Sequence, residues 1–99
     1  MLKEILAENP NDAFARYGLA MEYANLGDTA GAMGEYEKTV AASPDYVPAY
    51  QMAGQLSMNL GREADARAWF ERGIAAARRT GNRHAESEMQ GMLDTLPEG

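Results

Sequence analysis

The tripeptide Asn-Leu-Gly occupies residues 25–27 and returns at residues 59–61, and the repeat around it constrains the fold more than any other feature of the chain. Laying residues 10–43 on residues 44–77, a shift of 34, gives ten identities: Pro10/Pro44, Ala15/Ala49, Asn25/Asn59, Leu26/Leu60, Gly27/Gly61, Ala30/Ala64, Ala32/Ala66, Glu37/Glu71, Ala41/Ala75 and Ala42/Ala76. In so alanine-rich a chain, chance would supply about three, so the match marks an internal repeat. The pairs Tyr36/Phe70, Val40/Ile74 and Lys38/Arg72 keep size or charge as well.

Within each copy the apolar residues recur at helical spacing and a glycine interrupts them once, which predicts two helices joined by a tight turn. Gly27 and Gly61 are expected to supply the left-handed residue that ends a helix without a steric penalty. Asp28 is positioned to cap the helix that follows. Pro44 should end the second helix of the first copy, because proline disfavours helical backbone at the residue before it. The pattern predicts helices over 12–25, 29–42, 46–59, 62–79 and 82–95, the last capped by Asn82. Ala20 or Gly54 on first helices, and Ala32 or Ala66 on second helices, are small enough to let helix axes approach closely. Tyr36, Phe70, Val40 and Ile74 give the second helices an apolar stripe for the next element to cover, and Leu19, Tyr23, Leu56 and Leu60 supply core.

This helix–turn–helix resembles the tetratricopeptide repeat, whose pattern has a large residue at position 4, a Leu-Gly-like pair at 7 and 8, Tyr at 11, Gly at 15, Ala at 20, an aromatic at 24, Ala at 27 and Pro at 32. The first copy supplies Leu19, Ala20, Tyr23, Gly27, Ala32, Tyr36 and Pro44 at the matching places, and departs with Arg16 at 4 and Thr39 at 27. The second supplies Tyr50, Ala53, Gly54, Gly61, Ala66, Phe70 and Gly73, but has Ser57 at 11 and Arg78 where proline is expected, so its second helix should run on. Leu2, Ile5 and Leu6 fall at 24, 27 and 28 of a preceding unit. The resemblance implies an all-α tetratricopeptide-type solenoid of antiparallel helix pairs. It forms one domain over residues 1–99: a half-repeat stub at 1–10, repeats at 11–44 and 45–78, and a capping helix at 81–96. In that helix Met89, Met92 and Leu93 are expected to cover Phe70 and Ile74.

Composition narrows the function. Fifteen acidic and nine basic side chains give a net charge of −6, which repels phosphate backbones and anionic lipid and argues against nucleic-acid or membrane partners. Without cysteine there is no disulfide or thiolate metal site, and the absence of a signal-peptide core or a long apolar run points to a soluble, cytoplasmic protein. No phosphate-cradling glycine motif occurs. His84 has Ser87 and Glu88 within a helical turn, but two ligands do not make a zinc site. Glu35/Glu37 and Glu86/Glu88 are two apart on helices, so they do not face each other and read as solvated surface. Arg78, Arg79 and Arg83 read as cations at a helix C-terminus. No cofactor and no catalytic function is implied.

What is left is a binding surface. The resemblance implies that first helices line a concave groove, here through Phe14, Tyr17, Met21, Ala24 and Asn25, then Pro48, Gln51, Gln55, Met58 and Asn59, then capping-helix positions that include Met89. The lysines, arginines and asparagines with which some family members grip terminal carboxylates are replaced at positions 5 and 9 by Tyr17, Met21, Gln51 and Gln55. The expected function is therefore a non-catalytic protein–protein interaction module, taking a peptide or amphipathic helix in the groove. Two other readings stand beside it. One is a homodimer built on the stub Leu2–Glu8 or on the groove, and the other is the regulatory appendage of a larger protein.

Overall fold

A computed structural model describes residues 1–97. Among them are six α-helices and no strand: α1 (Leu2–Glu8), α2 (Ala13–Asn25), α3 (Thr29–Ala42), α4 (Val47–Asn59), α5 (Glu63–Thr80) and α6 (Arg83–Asp94). The chain is an all-α helical repeat, and each predicted helix is present to within about a residue at either end.

The turns form for the reasons the sequence suggests. Gly27, Gly61 and Gly81 stand at φ +83°, +74° and +71°, the left-handed region where a Cβ would be strained. The side chains of Asp28 and Asn82 accept the backbone N–H of Gly31 at 2.9 Å and of Ala85 at 3.1 Å, and Asp12 does the same for Ala15 at 3.0 Å. With Arg78 where a proline would have stopped it, α5 runs 18 residues to Thr80 and is capped by Gly81.

The chain divides into two compact units, Met1–Ala49 and Tyr50–Gly99, with the boundary falling within α4. In the first, α1 and α3 each pack on α2. Leu6, Ala15 and Leu19 form a buried cluster with Leu2 and Tyr23 against it, and Leu2 lies so close to Gly18 that a Cβ there would come within 3.1 Å of its Cδ1. Ala20 and Ala32 are fully buried, as expected of small residues at a helix contact. Ile5 is left 38% exposed beside buried Leu6.

In the second unit α5 packs on α6, and Phe70, Ala66 and Met89 are fully buried. Two glycines make room there. A Cβ on Gly54 would stand 2.4 Å from the Phe70 ring, and one on Gly73 would stand 2.5 Å from the Met89 sulfur and 2.7 Å from Tyr50 Cβ. Trp69 meets Tyr50 edge-on at 6.1 Å, and the Arg72 guanidinium lies 4.6 Å from the centre of the Trp69 ring. The expected core is partly met. Leu19 is buried and Tyr23 and Leu56 are half-buried, whereas Leu60 is 40% exposed in the turn before Gly61.

Candidate functional site

In Met1–Ala49 the residues of interest lie on α2, begun by the Asp12 cap. Helical spacing sets Phe14, Tyr17 and Met21 along one side of it. Phe14 is 73% exposed, Tyr17 and Met21 are half-buried, and Asn25 at the end of the helix is exposed. Tyr17 joins two other rings. Its centroid is 6.2 Å from that of Tyr36 on α3 and 5.3 Å from that of Tyr46 in the α3–α4 connection, each pair tilted at 51°. The Tyr36 hydroxyl, in a fully buried side chain, donates to the Met21 sulfur at 3.2 Å. Tyr46 is a member that the repeat pattern does not point to; its one signal in the sequence is an aromatic just beyond Pro44.

Burial pushes the Tyr36 hydroxyl up to about 12, with help from Tyr17, and raises Tyr17 and Tyr46 as well, Tyr46 also through the neighbouring Tyr17 and the Asp12 charge. A tyrosine whose folded pKa lies above its unfolded value of 10.0 contributes stability that is complete below pH 10 and is lost as the pH rises through the folded pKa. Alkaline titration followed by tyrosinate absorbance should therefore show a group ionising near pH 12, with stability falling between about pH 10 and 12, and Tyr36→Phe should remove that phase. A titration in which all tyrosines ionise together near pH 10 would contradict the burial.

In Tyr50–Gly99, Gln51, Gln55 and Met58 are half-buried and Asn59 is exposed. The Gln55 side-chain amide faces the Met92 sulfur at 3.7 Å. Met89 lies elsewhere: fully buried, its sulfur over Gly73, it belongs to the core and offers nothing to a partner. The missing Gly73 side chain creates the space it fills.

The α5–α6 joint is a surface of paired charges. Arg78 and Arg79 occupy the last turn of α5, and Arg78 bonds Glu86 at 2.7 Å. His84, 86% exposed at its side chain, meets Glu88 at 3.1 Å. No group of three metal-ligating side chains lies together among the described residues.

The model of the tetratricopeptide repeat family matches residues 24–86, nearly two thirds of the chain. The chain belongs to the tetratricopeptide repeat family. It is 32% identical over 95 residues to a TPR repeat-containing protein of Pseudomonas aeruginosa, covering 96% of this chain and 90% of that one. Its fold is similar to the solution structure of a tetratricopeptide repeat domain protein from Salinibacter ruber, with a TM-score of 0.79 and 35% identity over 86% of both chains. It is also similar to the crystal structure of MamA, with a TM-score of 0.77 and 27% identity over 82% of this chain and 47% of that one. Tetratricopeptide folds commonly mediate protein–protein interaction, and their repeats are generally non-catalytic. No helix among the described residues is long and apolar enough to cross a membrane.

The two places where the first repeat departs from the tetratricopeptide pattern meet at one residue. Arg16 Nη1 bonds Glu35 Oε1 at 2.9 Å, and the Thr39 hydroxyl donates to the Glu35 carbonyl at 2.7 Å. Lys38 adds a contact to Glu35 Oε2 at 3.3 Å, and Arg16 Nε donates to the Pro10 carbonyl at 3.0 Å. Glu35, expected on the solvated surface, is in fact buried, because Arg16 and Lys38 supply the charge that lets it leave water. In the second repeat Ser57 replaces the tyrosine, and its buried hydroxyl finds no hydrogen-bond partner among the described residues.

Proposed function

We propose that this chain is a non-catalytic protein-binding module that takes a peptide or amphipathic helix on the faces of its first helices, apolar in the first repeat and mixed with amides in the second. In Met1–Ala49 the face comprises Phe14, Tyr17, Met21 and Asn25, and in Tyr50–Gly99 it comprises Gln51, Gln55, Met58 and Asn59. The observation that supports this reading best is Phe14, a large apolar side chain 73% exposed and in helical register with half-buried Tyr17 and Met21. Exposed apolar surface of this kind is a feature of interaction sites. Completing the burial of Phe14 contributes about 1.5–3 kcal/mol and that of half-buried Tyr17 and Met21 about half as much each, so after the cost of association an affinity no tighter than about micromolar follows.

The test is a double substitution, Tyr17→Glu with Met21→Glu, compared with the unaltered chain in partner capture and in circular dichroism. The variant is expected to keep its helices and lose the partner. If it unfolds, Tyr17 and Met21 serve the core; if it folds and captures the partner undiminished, the binding surface is elsewhere.

A further inference from the structure

Resting on that reading, we infer that the partner is cationic: a basic amphipathic segment of another protein that sets a lysine or arginine against the Tyr17–Tyr46 pair, beside Asp12 at the start of α2. The charge of Met1–Ala49 favours such a partner. It has three basic residues, Lys3, Arg16 and Lys38, against eight acidic ones, a net of −5. Two of the three cations, Arg16 and Lys38, are bonded to Glu35, and the third, Lys3, lies 5.8 Å over the Tyr23 ring. Glu4, Glu8 and Glu22 are exposed. The Asp12 carboxylate accepts the backbone N–H of Ala15 at the start of α2 and adds its charge there. Long-range attraction therefore selects a positive partner and repels an acidic one.

The local chemistry agrees. Tyr17 and Tyr46 are tilted at 51° with centroids 5.3 Å apart, and aromatic faces attract ammonium and guanidinium groups. The Asp12 charge also reaches the Tyr46 hydroxyl, which it helps to raise after burial and Tyr17. Phe14, nearly a full turn before Tyr17, and Met21, just over a turn after it, add apolar contact on either side. A helix with one apolar face and flanking lysines or arginines satisfies all of these groups at once.

The experiment uses the whole chain and three synthetic helical peptides with one leucine face in common, their polar positions filled by lysine, glutamine or glutamate. Affinities are measured by calorimetry at low salt and at about 1 M salt, where the screening length falls to about 3 Å. The lysine peptide is expected to bind about tenfold or more tighter than the glutamine peptide at low salt, with the glutamate peptide weakest and the advantage much reduced at high salt. Asp12→Asn, which keeps a good N-cap, should shrink the lysine advantage, while Phe14→Ser, at an exposed position, should weaken lysine and glutamine peptides alike. Equal binding of lysine and glutamine peptides, lost in Phe14→Ser, would overturn the cationic partner and leave the α2 surface standing. Lysine-peptide binding indifferent to both substitutions would overturn the inference as attraction to another part of the chain. Failure of all three peptides to bind would count against the surface and the cation together.

Discussion

Gly54→Ala is expected to lower the melting temperature, whereas Gly91→Ala should raise it. In a helix interior alanine is favoured over glycine by roughly 1 kcal/mol, so by propensity alone both changes would stabilise. At Gly91 on α6 the new methyl meets nothing within 4 Å, and the propensity gain should appear nearly undiminished. At Gly54 on α4 it would stand 2.4, 2.7 and 2.8 Å from three atoms of the Phe70 ring, which is fully buried. Relieving that overlap by displacing the ring or the helix costs about 1–3 kcal/mol, more than the propensity returns. In a domain of this size each net kcal/mol moves the midpoint by about 4–8 °C. Thermal unfolding of the two variants beside the parent checks the sign, and a Gly54→Ala protein as stable as Gly91→Ala would refute the close approach of α4 to Phe70.

Arg16→Ala should cost about 2 kcal/mol, because Arg16 holds the charge of a buried carboxylate. Removing it leaves the Glu35 carboxylate, 11% exposed, with Lys38 at 3.3 Å. Breaking a buried pair on one side typically costs about 3–5 kcal/mol. The remaining lysine and the 20% exposure of the Arg16 side chain place this case below that range. Replacing both partners, Arg16→Met with Glu35→Leu, should return stability to near the parent or above it, since a well-packed apolar pair avoids the desolvation of two charges. Urea unfolding of Arg16→Met, Glu35→Leu and the double variant closes the cycle. An Arg16→Ala protein within about 0.5 kcal/mol of the parent would show that the pair is incidental.

These two sites show where the sequence was legible. The period of 34, with glycines ending helices and Asp28 and Asn82 beginning them, fixes the helices because each signal is local. The burial of Ala32 and Ala66 could be read the same way, from their recurrence one period apart. Glu35 could not. Its spacing from Glu37 argued correctly that the two do not face each other, but its state is decided by Arg16, 19 residues earlier on another helix. Met89 could be read both as cover over Phe70 and as part of the binding face, and the vacancy at Gly73, a relation between helices, decides for the core. Leu60 and Leu26 recur for the turn they precede, and at 40% and 81% exposure neither packs as a core residue.

The most direct test of the central claim, that the α2 face receives a protein partner, is an amide chemical-shift titration of the chain with the leucine–lysine helix. Shifts should concentrate at Phe14, Tyr17, Met21 and Tyr46, with Glu71, Ala75 and the Arg78–Arg83 joint unmoved. Shifts confined to that joint, with Phe14 and Tyr17 unchanged at saturation, would contradict it.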